Sequence, residues 1–376
     1  MDKHTKWNRP MNSRRKFIKN TVVSGISLGL GSAFSRAVAG NTPPATTHPD
    51  LPDVSGLIPK APDVPFIPRR TASWWNTITD LQWSQKHVRD KRKRRAEAFA
   101  EAKIDMVVNY GFHIRFDFSN YFGQMHGYMA NVCEELHKYG IKFMDHYSCN
   151  HVQRPRGEEE FHKLHRMHRH HVLLFHDPIA AEHAQYEGYL FNDLCEVEIA
   201  DGSRGYSRQY QMEAFCHNNP GFLDMHVKYL KRLMNEVPID AIEVDDMCDY
   251  VGLAACGCRY CRERFRRDYG REIPPFEDKN FWGDTSKPML SWGNYDNPAF
   301  RDFIRMKTDG IVDHVKLVKL TVGAIPLMSC CSSTGPITLN AISLNLERMA
   351  PYLDFFMLEN VGTNIRSTDW VRMDAE

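Results

Sequence analysis

The feature that most restricts this chain is a repeated alternation between short apolar runs and longer amphipathic ones. Residues 74–83, 104–109, 141–147, 239–245, 324–329 and 353–358 read as strands, and 86–102, 125–139, 223–235, 258–269, 298–320 and 344–352 as helices between or after them. Strand followed by helix, repeated, produces parallel strands with helices packed outside. Phe355-Phe356-Met357-Leu358 is continuous in apolar residues, as a strand buried on both faces must be. The strands end in polar residues (Asn109, His146, Asp245, Glu359), and in a (β/α)8 barrel those C-terminal strand ends carry the active site. The expectation is an α/β fold of TIM-barrel type. Six strands are countable where a closed barrel has eight, so either two escape the pattern or the barrel is cut short at its C-terminal end.

The N-terminus carries a different signal. Arg14-Arg15 is followed two positions later by Phe17, then by a weakly apolar, Gly- and Ser-rich stretch, then by Ala37-Val38-Ala39. Paired arginines, a short apolar region and an A-x-A site together make a twin-arginine signal peptide. The apolar run falls short of the ~20 residues a bilayer span needs. The expectation is a signal peptide over 1–39, a Pro- and Thr-rich extended leader over 40–70, and a barrel domain over 71–376 with an insertion at about 150–220. The protein would meet the twin-arginine translocase, carry no stable membrane anchor, and end in the periplasm or outside the cell. Net charge is +1, and the basic runs at 91–95 and 262–267 lie on helical patterns as solvated faces, which argues against a nucleic-acid partner.

Ile239-Asp240-Ala241-Ile242-Glu243-Val244-Asp245-Asp246 is the most informative strand. Alternation puts Glu243 and Asp245 on one face and Asp246 on the other. Carboxylates at a barrel mouth suit glycoside hydrolysis, in which one carboxyl protonates the leaving oxygen while the other attacks or activates water. Asp245 is the expected nucleophile or electrostatic stabiliser, and Glu359, closing the last strand, the general acid/base. Asp246 reads either as a helix cap or as a substrate contact. His146, Tyr147, Asn109 and His113 are the expected hydrogen-bonding partners of a carbohydrate substrate, and Trp75 a stacking platform.

The stretch from Val237 to Pro274, V-P-I-D-A-I-E-V-D-D-M followed by C-G-C-R-Y-C-R-E-R-F-R-R-D-Y-G-R-E-I-P, resembles secreted barrel glycoside hydrolases related to α-L-fucosidases and cysteine-rich β-galactosidases. The resemblance to the fucosidase type implies Asp245 as nucleophile. The Asn-Glu pair of the β-galactosidase type is absent from this strand, which argues against that activity.

Cys256-Gly257-Cys258-Arg259-Tyr260-Cys261 has a spacing whose thiolates can converge on one tetrahedral zinc. Cys248, eight residues upstream of Cys256, is taken as the fourth ligand, with Cys149 and Cys216 as alternatives. The resemblance to the cysteine-rich β-galactosidases likewise implies a structural zinc; disulfides formed after export are the competing reading. No organic cofactor is expected. The histidines of 162–176 lack an acidic partner motif and read as a surface or lid helix. Two other functions compete with the glycosidase: a non-catalytic carbohydrate-binding relative, and a metal-dependent hydrolase built on Asp245, Asp246 and His146.

Overall fold

The computed structural model describes residues 51–58, 64–76, 78–82, 84–167, 177–331 and 342–358, all within one compact unit. The signal-peptide reading over 1–39 and the residue Glu359 lie outside the described residues. The described part of the leader contains neither helix nor strand.

Six parallel strands form one sheet: β1 (Thr71–Trp74), β2 (Met106–Asn109), β3 (Lys142–Ser148), β4 (Ala241–Asp245), β5 (Leu327–Cys331) and β6 (Phe355–Leu358). Their order in the sheet is their order in the chain. A sheet wound in one direction throughout, with every crossover helical, is the arrangement from which α/β barrels are made. The first strand precedes its expected position: it ends at Trp74, and a 3-10 turn follows at Ile78–Gln82.

The central strands β2 to β5 are buried on both faces. Val107, Phe143, Tyr147, Ile242, Val244 and Leu327 turn outward into the core shared with the helices. Met106, Val108, Met144, Ala241 and Met328 turn inward and form a second cluster with Phe66, Tyr110, Phe355 and Met357. In a flat sheet β2 and β6, four positions apart, would be separated by about 19 Å at ~4.8 Å per strand. Yet Tyr110, directly after β2, places its hydroxyl 3.5 Å from the Met357 sulfur of β6, and Phe66 packs on Phe355 with ring centroids 6.5 Å apart. The sheet is therefore rolled around its inner cluster. Among the described residues no ladder joins β6 to β1.

The outer helices are α1 (Lys86–Glu101), α2 (Phe122–His137), α3 (Pro220–Glu236), α4 (Arg259–Tyr269) and α5 (Pro298–Val322). Helices α3 and α5 begin alike: an asparagine (Asn219, Asn297) caps the first turn with its side-chain oxygen, and proline occupies the next position, where its missing N–H costs nothing. Helix α4 ends at Gly270, whose left-handed φ of 63° a side chain would disfavour. Among the described residues no helix is long and apolar enough to cross a membrane.

The insertion after β3 folds into short antiparallel pieces: His151–Gln153 pairs with Met212–Ala214, which pairs with Tyr206–Ser207. Val197 and Arg204 bridge antiparallel across the turn at Asp201-Gly202.

One ion pair ties the rolled sheet to its shell. Arg115 and Asp145 of β3 are fully buried and bonded through both guanidinium nitrogens at 2.9 Å, while Asn109 donates to the same carboxylate at 2.8 Å. The guanidinium also lies over the Tyr147 ring, 4.6 Å from its centroid. Replacing Arg115 with Met should cost ~3–5 kcal/mol in chemical denaturation, because it strands a buried carboxylate. Arg115→Met with Asp145→Leu should recover part of that loss, and equal destabilisation by the single and double variants would contradict this view of the pair.

Candidate functional site

The parity of β3 and β4 decides what reaches the cleft. His146 and Ser148 lie opposite Glu243 and Asp245, so all four share the inner face. The His146 Nε2 is 3.1 Å from Asp245 Oδ2 and 3.8 Å from Glu243 Oε1. Burial disfavours a charged imidazole, but the carboxylates of Glu243, Asp245 and Asp246 outweigh it and push the His146 pKa up to about 9.

Asp246 departs from its expected orientation. Its φ is +60°, so the backbone leaves the extended conformation there and strict alternation ends. Its carboxylate consequently lines the same cleft as that of Asp245, and His113 Nε2 sits 3.8 Å from an oxygen of each. Asp246 caps none of the described helices. It bonds His151 Nδ1 at 3.0 Å, and this partner offsets the burial that would otherwise favour the neutral acid, leaving the Asp246 pKa below its ordinary value.

Asp245, Asp246, His113 and His151 line one open cleft. Tyr210 and Tyr250 line it, with ring centroids 5.1 Å apart, and His151 packs against Tyr250 at the same distance. Trp75, 39% exposed, stacks on Tyr110 at 5.2 Å, and the Tyr110 ring lies 4.5 Å from that of His146. The tryptophan thus belongs to an aromatic row leading to the carboxylates.

Two expected substrate contacts are elsewhere. Tyr147 follows His146 and points through the opposite face, where its hydroxyl bonds His226 Nε2 at 2.7 Å in the helical shell. Asn109 is also fully buried, held between Asn76 and Asp145. The strand-end rule overreached for both because it counted position along the strand and ignored the face. His151, Tyr210 and Tyr250 were missed. The histidine lies three residues past β3 and was within reach of the same rule; the tyrosines arrive from the insertion and from the loop after β4, and no local pattern marks them.

The cysteines form a separate centre. Cys216, Cys256, Cys258 and Cys261 are buried with all four sulfurs within 4.8 Å of one another, an arrangement that could hold a metal ion. Cys248, the expected fourth member, instead lines the cleft. Its place is taken by Cys216, which precedes α3 and so comes from another loop. The Cys216 sulfur is 3.7 Å from that of Cys258 and 3.5 Å from that of Cys261. Tetrahedral ligands bonded at ~2.3 Å stand about 3.8 Å apart, whereas a disulfide requires ~2.05 Å. Each sulfur also faces an N–H donor: the Val197 amide for Cys256, the Asn218 amide for Cys216, the Cys261 amide for Cys258, and the Asn218 side chain, at 3.2 Å, for Cys261. Converging sulfurs that all accept hydrogen bonds fit thiolates around a cation better than thiols. Gly310 of α5 permits this, since a Cβ there would stand 2.4 Å from the Asn218 side-chain oxygen. Lys307, on the same helix and buried beside Cys256, pairs with Asp249 and adds positive charge near the cluster.

No protein-family model and no curated protein matches this chain. Among solved structures it is similar to a variant α-galactosidase of Geobacillus stearothermophilus (12% identity, TM-score 0.36, 72% of this chain and 28% of that one). It is also similar to an α-galactosidase of Thermus thermophilus (9%, 0.35, 72% and 39%) and a β-galactosidase of Halorubrum lacusprofundi (12%, 0.43, 75% and 41%). The chain thus spans 28% to 41% of the length of these three structures.

Proposed function

We propose that this chain is an exported glycoside hydrolase of barrel type, acting on a carbohydrate in the cleft above β3 and β4. The observation that carries this reading is Asp245: a carboxylate delivered by an inner-face position to the end of a parallel strand, open to the cleft and 3.1 Å from a buried imidazole. Asp245 serves as nucleophile or electrostatic stabiliser and Glu359 as general acid/base. The assignment of Glu359 rests on the sequence, in which it directly follows the apolar run Phe355-Phe356-Met357-Leu358. Asp246, His113 and His151 bind sugar hydroxyls, and Tyr210, Tyr250 and Trp75 offer ring faces to the sugar. The paired arginines at 14 and 15 and the Ala37-Val38-Ala39 site support export by the twin-arginine translocase, with release in the periplasm or beyond. Folding before translocation would let the cysteine cluster take up zinc while its thiols are still reduced.

Purified protein screened against aryl α- and β-glycosides should turn over at least one of them. Binding of sugars without hydrolysis of any would replace the enzyme by a carbohydrate-binding protein. For the cysteine cluster, elemental analysis should find zinc, with one equivalent per chain lost on replacing Cys216 with Ser and kept on replacing Cys248 with Ser. The reverse pattern would restore Cys248 as the ligand.

A further inference from the structure

The histidines and carboxylates at the cleft floor are arranged as a second metal centre, of different chemistry from the cysteine cluster. We propose that His113 Nε2, His146 Nε2 and Asp245 Oδ2 bind a divalent first-row metal ion that faces the cleft. The three atoms lie within 4.8 Å of one another, with His146 at 3.1 Å and His113 at 3.8 Å from the shared Asp245 oxygen. Ligands bonded at ~2.1 Å stand about 3.0 Å apart at right angles and about 3.4 Å apart at the tetrahedral angle. Of the three pairs, His146–Asp245 already has that spacing, His113–Asp245 closes with a shift of a few tenths of an ångström, and the two nitrogens lie within 4.8 Å of each other. The two imidazoles present the same nitrogen to the carboxylate from rings that are nearly parallel, 18° apart, with centroids 4.7 Å from each other.

The surrounding charge calls for a cation at this point. Glu243, fully buried, stands 3.8 Å from His146, and Asp246 stands 3.8 Å from His113. Three carboxylates thus converge on two imidazoles, and the ion pairs that Asp245 and Asp246 make among the described residues are all with histidines. Imidazole is neutral when it ligates, so a divalent ion bound here would bring its own positive charge beside these carboxylates. The backbone argues in the same direction. Asp246 holds a left-handed φ, which costs an L-residue on the order of 1 kcal/mol, and it does so where its carboxylate is turned onto the cluster.

Three protein ligands on one side and an open cleft on the other leave coordination positions open, as catalytic metal sites do and a closed four-cysteine site does not. Two imidazoles and one carboxylate suit first-row divalent ions. On the glycosidase reading, the open positions would take adjacent hydroxyls of a sugar. Asp245 would then act through the cation as an electrostatic stabiliser, which selects between the two roles left to it above.

The test is titration of the purified full chain with Mn(II), following free ion by electron paramagnetic resonance. Manganese prefers oxygen and nitrogen donors over thiolates, so the cysteine cluster does not compete. One ion per chain is expected, with His113→Gln and Asp245→Asn each weakening it at least tenfold. Pulsed measurements on the ion bound to the unaltered protein should show two imidazole nitrogens, a readout that needs no variant to fold. Absence of stoichiometric binding, binding indifferent to both substitutions, or a bound ion without imidazole coupling would overturn the site. Because this readout is independent of turnover, glycoside hydrolysis that persists in protein unable to bind Mn(II) would discard the metal and leave the hydrolase.

Discussion

The parallel register between β3 and β4 sets His146 beside Glu243 and Ser148 beside Asp245, and the composition of the cleft follows from that alignment. A slip of one residue in β4 would exchange its inner and outer sets, sending Asp245 into the helical shell and an apolar neighbour into the cleft. What resists such a slip is chemistry on the outer face. Asp145, between Met144 and His146, is held by Arg115 through two bonds and by Asn109 through a third, all in the dry interior. A buried ion pair is weak evidence for net stability, but it is demanding about geometry. Here that demand falls on the strand that also carries His146.

The second anchor lies at the other end of the loop that leaves β4. That loop runs past Asp246 and Cys248 and enters α4 through Cys256, Cys258 and Cys261. Cys216 joins them from the turn before α3, and Gly310 of α5 lets Asn218 reach the cluster. The sulfur cluster therefore fastens α3, α4 and α5 at the rim where the carboxylates emerge. The two clusters are neighbours in the fold and differ in their donor atoms, sulfur in one and nitrogen with oxygen in the other.

Much of the scaffold was legible in the sequence because burial on two faces leaves a strong mark. Runs such as Met106-Val107-Val108 and Ile242-Glu243-Val244 gave six strands in the right order, and the helices between them were located to within a few residues. The rolled sheet is consistent with the TIM-barrel expectation without closing among the described residues. The site was harder to read, for two physical reasons. Position along a strand does not specify its face, so Tyr147 and Asn109 were grouped with His146 although they point away from the cleft. Alternation also holds only while the backbone stays extended, and the left-handed turn at Asp246 brought to the cleft a side chain that parity had sent elsewhere. Cys216 illustrates a further limit: spacing located three members of the sulfur cluster, but the fourth came from about 40 residues upstream, and proximity in sequence favoured Cys248.

The central claim is that Asp245 is indispensable to glycoside hydrolysis in this cleft. Asp245→Asn keeps the shape and removes the charge, so kcat/KM on the best aryl glycoside, measured beside a thermal melt, tests it most directly. The account predicts a fall of at least about 1,000-fold with the melting temperature little changed. Turnover near that of the unaltered protein would contradict it.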